Sequence, residues 1–251
     1  MTQHASPSRV PRREAKLGRP MGESRSVGGV VLLLPGGTAH STRRPSPVAA
    51  AAMLPLARRF ARTGRDAALV AHVVRYRYRG WNGSAAHPAA DAEWAVAEIV
   101  RRYGDVPVCL AGSDVGGRAA LRAAGCPAVT SVLALAPWLP EAEEEPVRQL
   151  VGRSVLLVHG TDDAHSDPEL SFRLAERAKK VNADVSRFEV HTDGHALYHH
   201  RHEVAALAED FVLGTLCEDD FSRPLTDAMA APPPLGLRMP LATGFGRSLR
   251  R

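Results

Sequence analysis

Three acidic or basic side chains stand where the chain turns sharply out of an apolar run. Asp114 is the centre of Ala-Gly-Ser-Asp-Val-Gly-Gly, residues 111–117. Gly112 and Gly116 flank it two residues away on each side, which permits a tight strand-to-helix turn that holds the central side chain out. Centred on Ser113, the flanking residues would be Ala111 and Val115, which fits less well. Asp163 lies in Gly160-Thr161-Asp162-Asp163-Ala164-His165-Ser166-Asp167, and His195 closes Asp193-Gly194-His195. A carboxylate, a second carboxylate and an imidazole in this order can act as nucleophile, orienting acid and base. Asp162 and Asp167 compete with Asp163 for the orienting place.

These residues need elements to position them. Short apolar runs at 30–34, 67–74, 106–110, 129–135, 155–159 and 185–190 are expected to be strands. Helical patterns are expected at about 47–63, 88–103, 116–124, 168–181 and 199–216, with Pro88 and Asp91 opening the second. Strand and helix alternate, so the fold class is α/β, with a mainly parallel sheet of about six strands and helices on both faces. Ligands of such sheets bind at the carboxyl ends of the strands. All three candidates lie just past one.

With these motifs in place, residues 28–217 resemble the α/β-hydrolase fold family. The turn around Asp114 is similar to that family's nucleophile elbow, and the order nucleophile, acid, histidine is the family's own. The resemblance implies that Asp163 orients His195 and that His195 is the catalytic base. It also implies an oxyanion hole from the N–H of Gly37 or Thr38 together with that of Val115. Pro35, in Leu34-Pro35-Gly36-Gly37-Thr38, stands where the family often has a histidine.

The elbow residue is an aspartate where esterases carry serine. A carboxyl group with a reference pKa of about 3.9 is already ionised at neutral pH, so it needs no activating base. Attack on an ester carbonyl would give a high-energy mixed anhydride. Attack on a saturated carbon bearing an epoxide oxygen or a halide gives an ordinary ester, which water activated by His195 can hydrolyse. The elbow is similar in this to epoxide hydrolases and haloalkane dehalogenases. Those carry a lid domain, whereas only about 15 residues separate Leu139 from the next expected strand. In size the chain is closer to lidless dienelactone hydrolases. Two other functions stay open: proton transfer by an epimerase, isomerase or dehydratase, and a degenerate elbow in a binding module whose Asp114 merely caps the next helix.

Composition sets the remaining bounds. The chain has 251 residues, 45% apolar and 24% charged, enough for one domain with a real core. Its formal net charge of +5 resides in its ends. Residues 1–27 hold six basic and two acidic residues, residues 218–251 five and four, which leaves 28–217 neutral. Neither nucleic acid nor membrane is therefore an expected partner; a small molecule or peptide is, and a homodimer is compatible. Both ends are rich in proline and are expected to be disordered arms. Cys109, Cys126 and Cys217 lack metal or redox spacing and fit free thiols in a cytoplasmic protein. No cofactor or metal is implied: His195 and His199 are four apart, but no carboxylate shares their helical spacing. Trp81, Trp138 and Ser113 are expected to line the substrate pocket, Trp94 to be core, and Glu141 to Glu145 to form a solvated loop.

Overall fold

The structure is a computed structural model and describes residues 13–23, 25–142, 144–217 and 219–246. All six expected strands form: β2 (Gly29–Leu34), β3 (Leu69–Arg75), β4 (Val108–Ser113), β5 (Val129–Leu135), β6 (Ser154–Gly160) and β7 (Val185–Val190). Two-residue edge strands, β1 (Lys16–Leu17) and β8 (Met239–Pro240), complete a sheet of order β1-β3-β2-β4-β5-β6-β7-β8. Among the described strands, only β1 runs antiparallel to its neighbour.

The interior strands carry apolar residues in both registers. Val30, Leu32 and Leu34 face one core, and Val31 and Leu33 the other. All five are fully buried, as expected when helices cover both faces. On the first face lie α3 (His87–Tyr103), α4 (Val115–Ala123) and α5 (Pro168–Lys179). On the second lie α1 (Pro47–Ala52), α2 (Leu54–Thr63), α6 (Arg201–Leu216) and α7 (Arg223–Ala230). The helical pattern at 47–63 is split at Met53, where Pro55 opens a second helix. The chain passes from β3 through α3 to β4 on the far side of β2, so the loops after β2 and β4 come together at the sheet's carboxyl edge.

Where they are described, residues 13–27 and 219–246 differ from the disordered arms expected of the chain ends. Residues 1–12 lie outside the described residues, but Ala15 is buried, β1 pairs with β3, and Met21 bridges Ala71. Beyond Cys217, α7 buries Leu225 and Ala228, and Leu237 and Leu241 are buried beside β7. Spaced apolar anchors among the prolines suffice to dock this segment, because β7 would otherwise be an open edge. Lys179 fastens it further through the Met229 carbonyl, 2.6 Å away. Trp94 is 39% exposed and so is not core. No helix among the described residues is long and apolar enough to cross a membrane.

Candidate active site

The turn after β4 is as tight as its glycines suggest. A Cβ on Gly112 would stand 2.1 Å from the Gly116 carbonyl oxygen, and one on Gly116 would stand 2.0 Å from that of Leu34. Asp114 between them has φ 54° and ψ −124°, a backbone state that costs a non-glycine residue about 1–3 kcal/mol. Hydrogen bonds hold it there. Its N–H donates to the Leu135 carbonyl at 3.0 Å, and its carbonyl accepts from Gly117, Arg118 and Trp138.

The Asp114 side chain does not cap α4. Instead its Oδ2 accepts the Gly37 N–H at 3.0 Å. Its Oδ1 is buried and has no hydrogen-bond partner among the described residues. His195 Nε2 lies 3.6 Å from that oxygen, and His195 Nδ1 lies 2.8 Å from Asp163 Oδ2. Three residues far apart in sequence are thus brought into one line. Among the three acidic candidates it is Asp163 that meets His195. Asp167 instead caps α5 through the Glu169 N–H, and Asp162 takes the Thr161 hydroxyl.

Asp163 is fully occupied. Its Oδ1 accepts the N–H groups of His165 (2.8 Å) and Ser166 (3.0 Å). Its Oδ2 also faces His159 Nε2 at 3.1 Å. Burial pushes the carboxyl up, but these donors outweigh burial and hold it well below the usual carboxylate range. Burial likewise pulls His195 down, and the nearby negative charge of Asp114 and the hydrogen bond and charge of Asp163 outweigh it, so His195 titrates above the ordinary histidine range. His159 escaped the sequence reading, although a histidine ending an apolar strand was its signal. Its ring is fully buried between Asp163 and Ser171.

Of the expected oxyanion donors, Gly37 points at the elbow side chain, and Val115 opens α4 immediately after it. The Thr38 amide is not brought there. It donates to the Arg79 carbonyl at 3.2 Å, because Thr38 bridges the Gly80 segment in parallel.

A cleft of about 730 Å3 opens beside Asp114 and His195. Ser113 lines it as expected, and much of the rest comes from α1, α2, α6, the Met53 junction and the loop after β7: Met53, Leu56, Leu197 and Val204 among them. Trp81 and Trp138 do not line it. They turn inward and flank Arg118, whose guanidinium carbon lies 4.0 and 5.1 Å from their ring centres. Arg118 is fully buried and paired with Glu145, which also holds Arg122 at 2.7 Å. Glu145 is therefore no part of a solvated loop, while Glu143 lies outside the described residues. The cleft is largely aliphatic, with Arg59, Arg62 and Arg201 among its lining. All three cysteines are free; burial pushes Cys109 up to about 12 and Cys217 to about 11, values of unreactive thiols.

No protein-family model and no curated protein sequence matches the chain. Solved structures do. Est1E from Butyrivibrio proteoclasticus, solved with ferulic acid bound, superposes with a TM-score of 0.57 at 15% identity, over 81% of this chain and 95% of that one. The Pyrococcus furiosus esterase Pf2001 gives 0.58 at 14% identity, over 86% and 95%. Thermogutta terrifontis esterase 2, phosphorylated by paraoxon, gives 0.60 at 18% identity, over 84% and 97%. At such identities the likeness speaks to architecture, and it agrees with the sheet order and the elbow: the chain has the α/β-hydrolase fold.

Proposed function

We propose that the protein is a hydrolase that opens a small, largely apolar electrophile through an ester on Asp114. One observation carries this reading. The Asp114 carboxylate has one oxygen tied to a loop amide and the other buried, unpartnered and 3.6 Å from an imidazole that a second carboxylate orients.

Oδ1 attacks a saturated carbon bearing an epoxide oxygen or a halide. The new O–C bond forms as the C–O or C–halogen bond breaks. Halide leaves as the anion, and an alkoxide takes a proton from solvent. His195 Nε2 then removes a proton from water, and the hydroxide adds to the carboxyl carbon of Asp114. Negative charge develops on Oδ2, the oxygen already facing the Gly37 N–H, so the oxyanion hole serves the protein's own carboxylate. The Val115 N–H, in the first turn of α4, is the second donor of this reading. Collapse releases the alcohol with a proton from His195, whose charged form Asp163 stabilises, and the Asp114 carboxyl returns to carboxylate by losing the remaining proton of the added water to solvent. The aliphatic part of the cleft suits an apolar substrate body.

Single turnover in 18O-water tests the sequence of bonds. The product's new oxygen is expected to come from Asp114, leaving 18O in the protein. Label appearing in the product in the first turnover would overturn the covalent reading. Solvent deuterium washing into a carbon acid without any adduct would replace it with proton transfer.

A further inference from the structure

The same carboxylate oxygen has a second imidazole beside it. His165, in the loop between β6 and α5, brings its Nε2 to 3.8 Å from Asp114 Oδ1. Its ring meets that of His195 edge-on, with centres 4.5 Å apart and planes at 60°. One donor atom from each of Asp114, His165 and His195 lies within 4.8 Å of the others. With Nδ1 of neutral His195 donating to Asp163, its Nε2 presents a lone pair to Oδ1, and Oδ1 has no hydrogen-bond donor of its own. Donor atoms from three side chains, on three different turns, are thus gathered at one place.

We propose that Asp114, His165 and His195 bind a divalent transition-metal ion of the Zn2+, Co2+ or Ni2+ class. Two imidazoles and one carboxylate suit such borderline ions, whereas Mg2+ and Ca2+ select oxygen donors throughout. Bonds of about 2.0–2.1 Å place donors in a tetrahedral site about 3.3–3.4 Å apart, so separations of 3.6 and 3.8 Å to Oδ1, and one within 4.8 Å between the two imidazoles, require a contraction of at most about 1.5 Å. His165 can supply it, since its side chain is 62% exposed. The Asp163–His195 hydrogen bond is the outer-sphere carboxylate that metal-bound histidines ordinarily carry, and it fixes the tautomer that leaves Nε2 to the ion. The remaining coordination positions are left to water or to a ligand in the cleft. Ion and aspartyl ester exclude each other, because both need Oδ1. The ion site goes beyond the covalent reading and does not depend on it.

The test is Co2+ titration of the full chain, read by the visible bands of a low-symmetry cobalt site, with Zn2+ binding followed by calorimetry. One saturable equivalent is expected, with Zn2+ displacing Co2+. His165→Ala and Asp114→Ala should each weaken it by at least about tenfold. His199→Ala, which removes an exposed histidine 3.5 Å from Asp193, should leave it unchanged. Absence of a saturable equivalent, or equal binding by His165→Ala, overturns the site. His165 is exposed, so that variant keeps the fold, and its thermal unfolding checks this.

Discussion

The Gly37 N–H donates to Asp114 Oδ2 at 3.0 Å, across 77 residues of sequence. This bond makes the two carboxylate oxygens unequal. Oδ2 is held where an oxyanion would develop, and Oδ1 is left facing His195. The pairing of β2 with β4 explains it, because adjacent parallel strands deliver their following loops to the same edge.

A methyl group beside that bond should disturb it. A Cβ on Gly36 would stand 2.9 Å from Asp114 Oδ2. Gly36→Ala should therefore slow ester formation by about 10–100-fold, the cost of displacing a reacting atom by a fraction of an ångström. Rapid-quench kinetics with the best electrophile would show it, with circular dichroism confirming the fold.

His195 should report its two carboxylates. Its titration, followed by NMR, is expected above the ordinary value of about 6.5. Asp114→Asn removes one of the two negative groups, so the midpoint should fall. Because the folded value is raised, the stability His195 contributes is full below about 6.5 and is lost as pH rises through the folded value. Hydrolysis of the ester needs the neutral ring, and the ester, like Asp114→Asn, lacks the Asp114 charge, so ester hydrolysis should rise with pH through a midpoint below that of the free protein.

Asp163 should matter to the fold as well as to the site. It accepts two backbone N–H groups and contacts two imidazoles. Asp163→Ala should cost about 1–3 kcal/mol in urea unfolding, as donors are left unpaired. His195→Ala should cost less, since that ring is 28% exposed. The folded carboxyl is depressed, so its contribution is present above about 3.9 and is lost as pH falls through the folded value. The difference between wild type and Asp163→Ala should shrink correspondingly in acid.

Glu145 is predicted to anchor the elbow helix. Removing it takes from the buried Arg118, which lies between two tryptophans, the carboxylate of Glu145, so Glu145→Ala should cost more than about 1 kcal/mol. Glu144→Ala, at a side chain 83% exposed, should stay within about 0.5 kcal/mol. Chemical denaturation of the two variants checks the contrast.

What was legible in the sequence was local. Gly112, Asp114 and Gly116 specify their turn within five residues, and the apolar runs of β2 to β7 are short and continuous. What escaped depends on distant partners. Glu145 sits in a run of acidic residues, and its partners Arg118 and Arg122 lie 27 and 23 positions earlier. Trp138 follows a strand end, yet its ring turns toward that same arginine and away from the cleft. His165 was in plain view beside Asp163, but only the fold brings it to Asp114. Leu225, Ala228 and Leu237 are too sparse among prolines to announce a docked segment.

The most direct test of the central claim is intact-protein mass spectrometry of His195→Ala incubated with apolar epoxides and alkyl halides. Without its base the protein should form the ester and fail to hydrolyse it. A stable mass increment equal to the epoxide, or to the alkyl group, should appear, map to Asp114 on digestion, and be absent from Asp114→Asn. No increment on Asp114 across the panel, or one that persists in Asp114→Asn, would contradict the account.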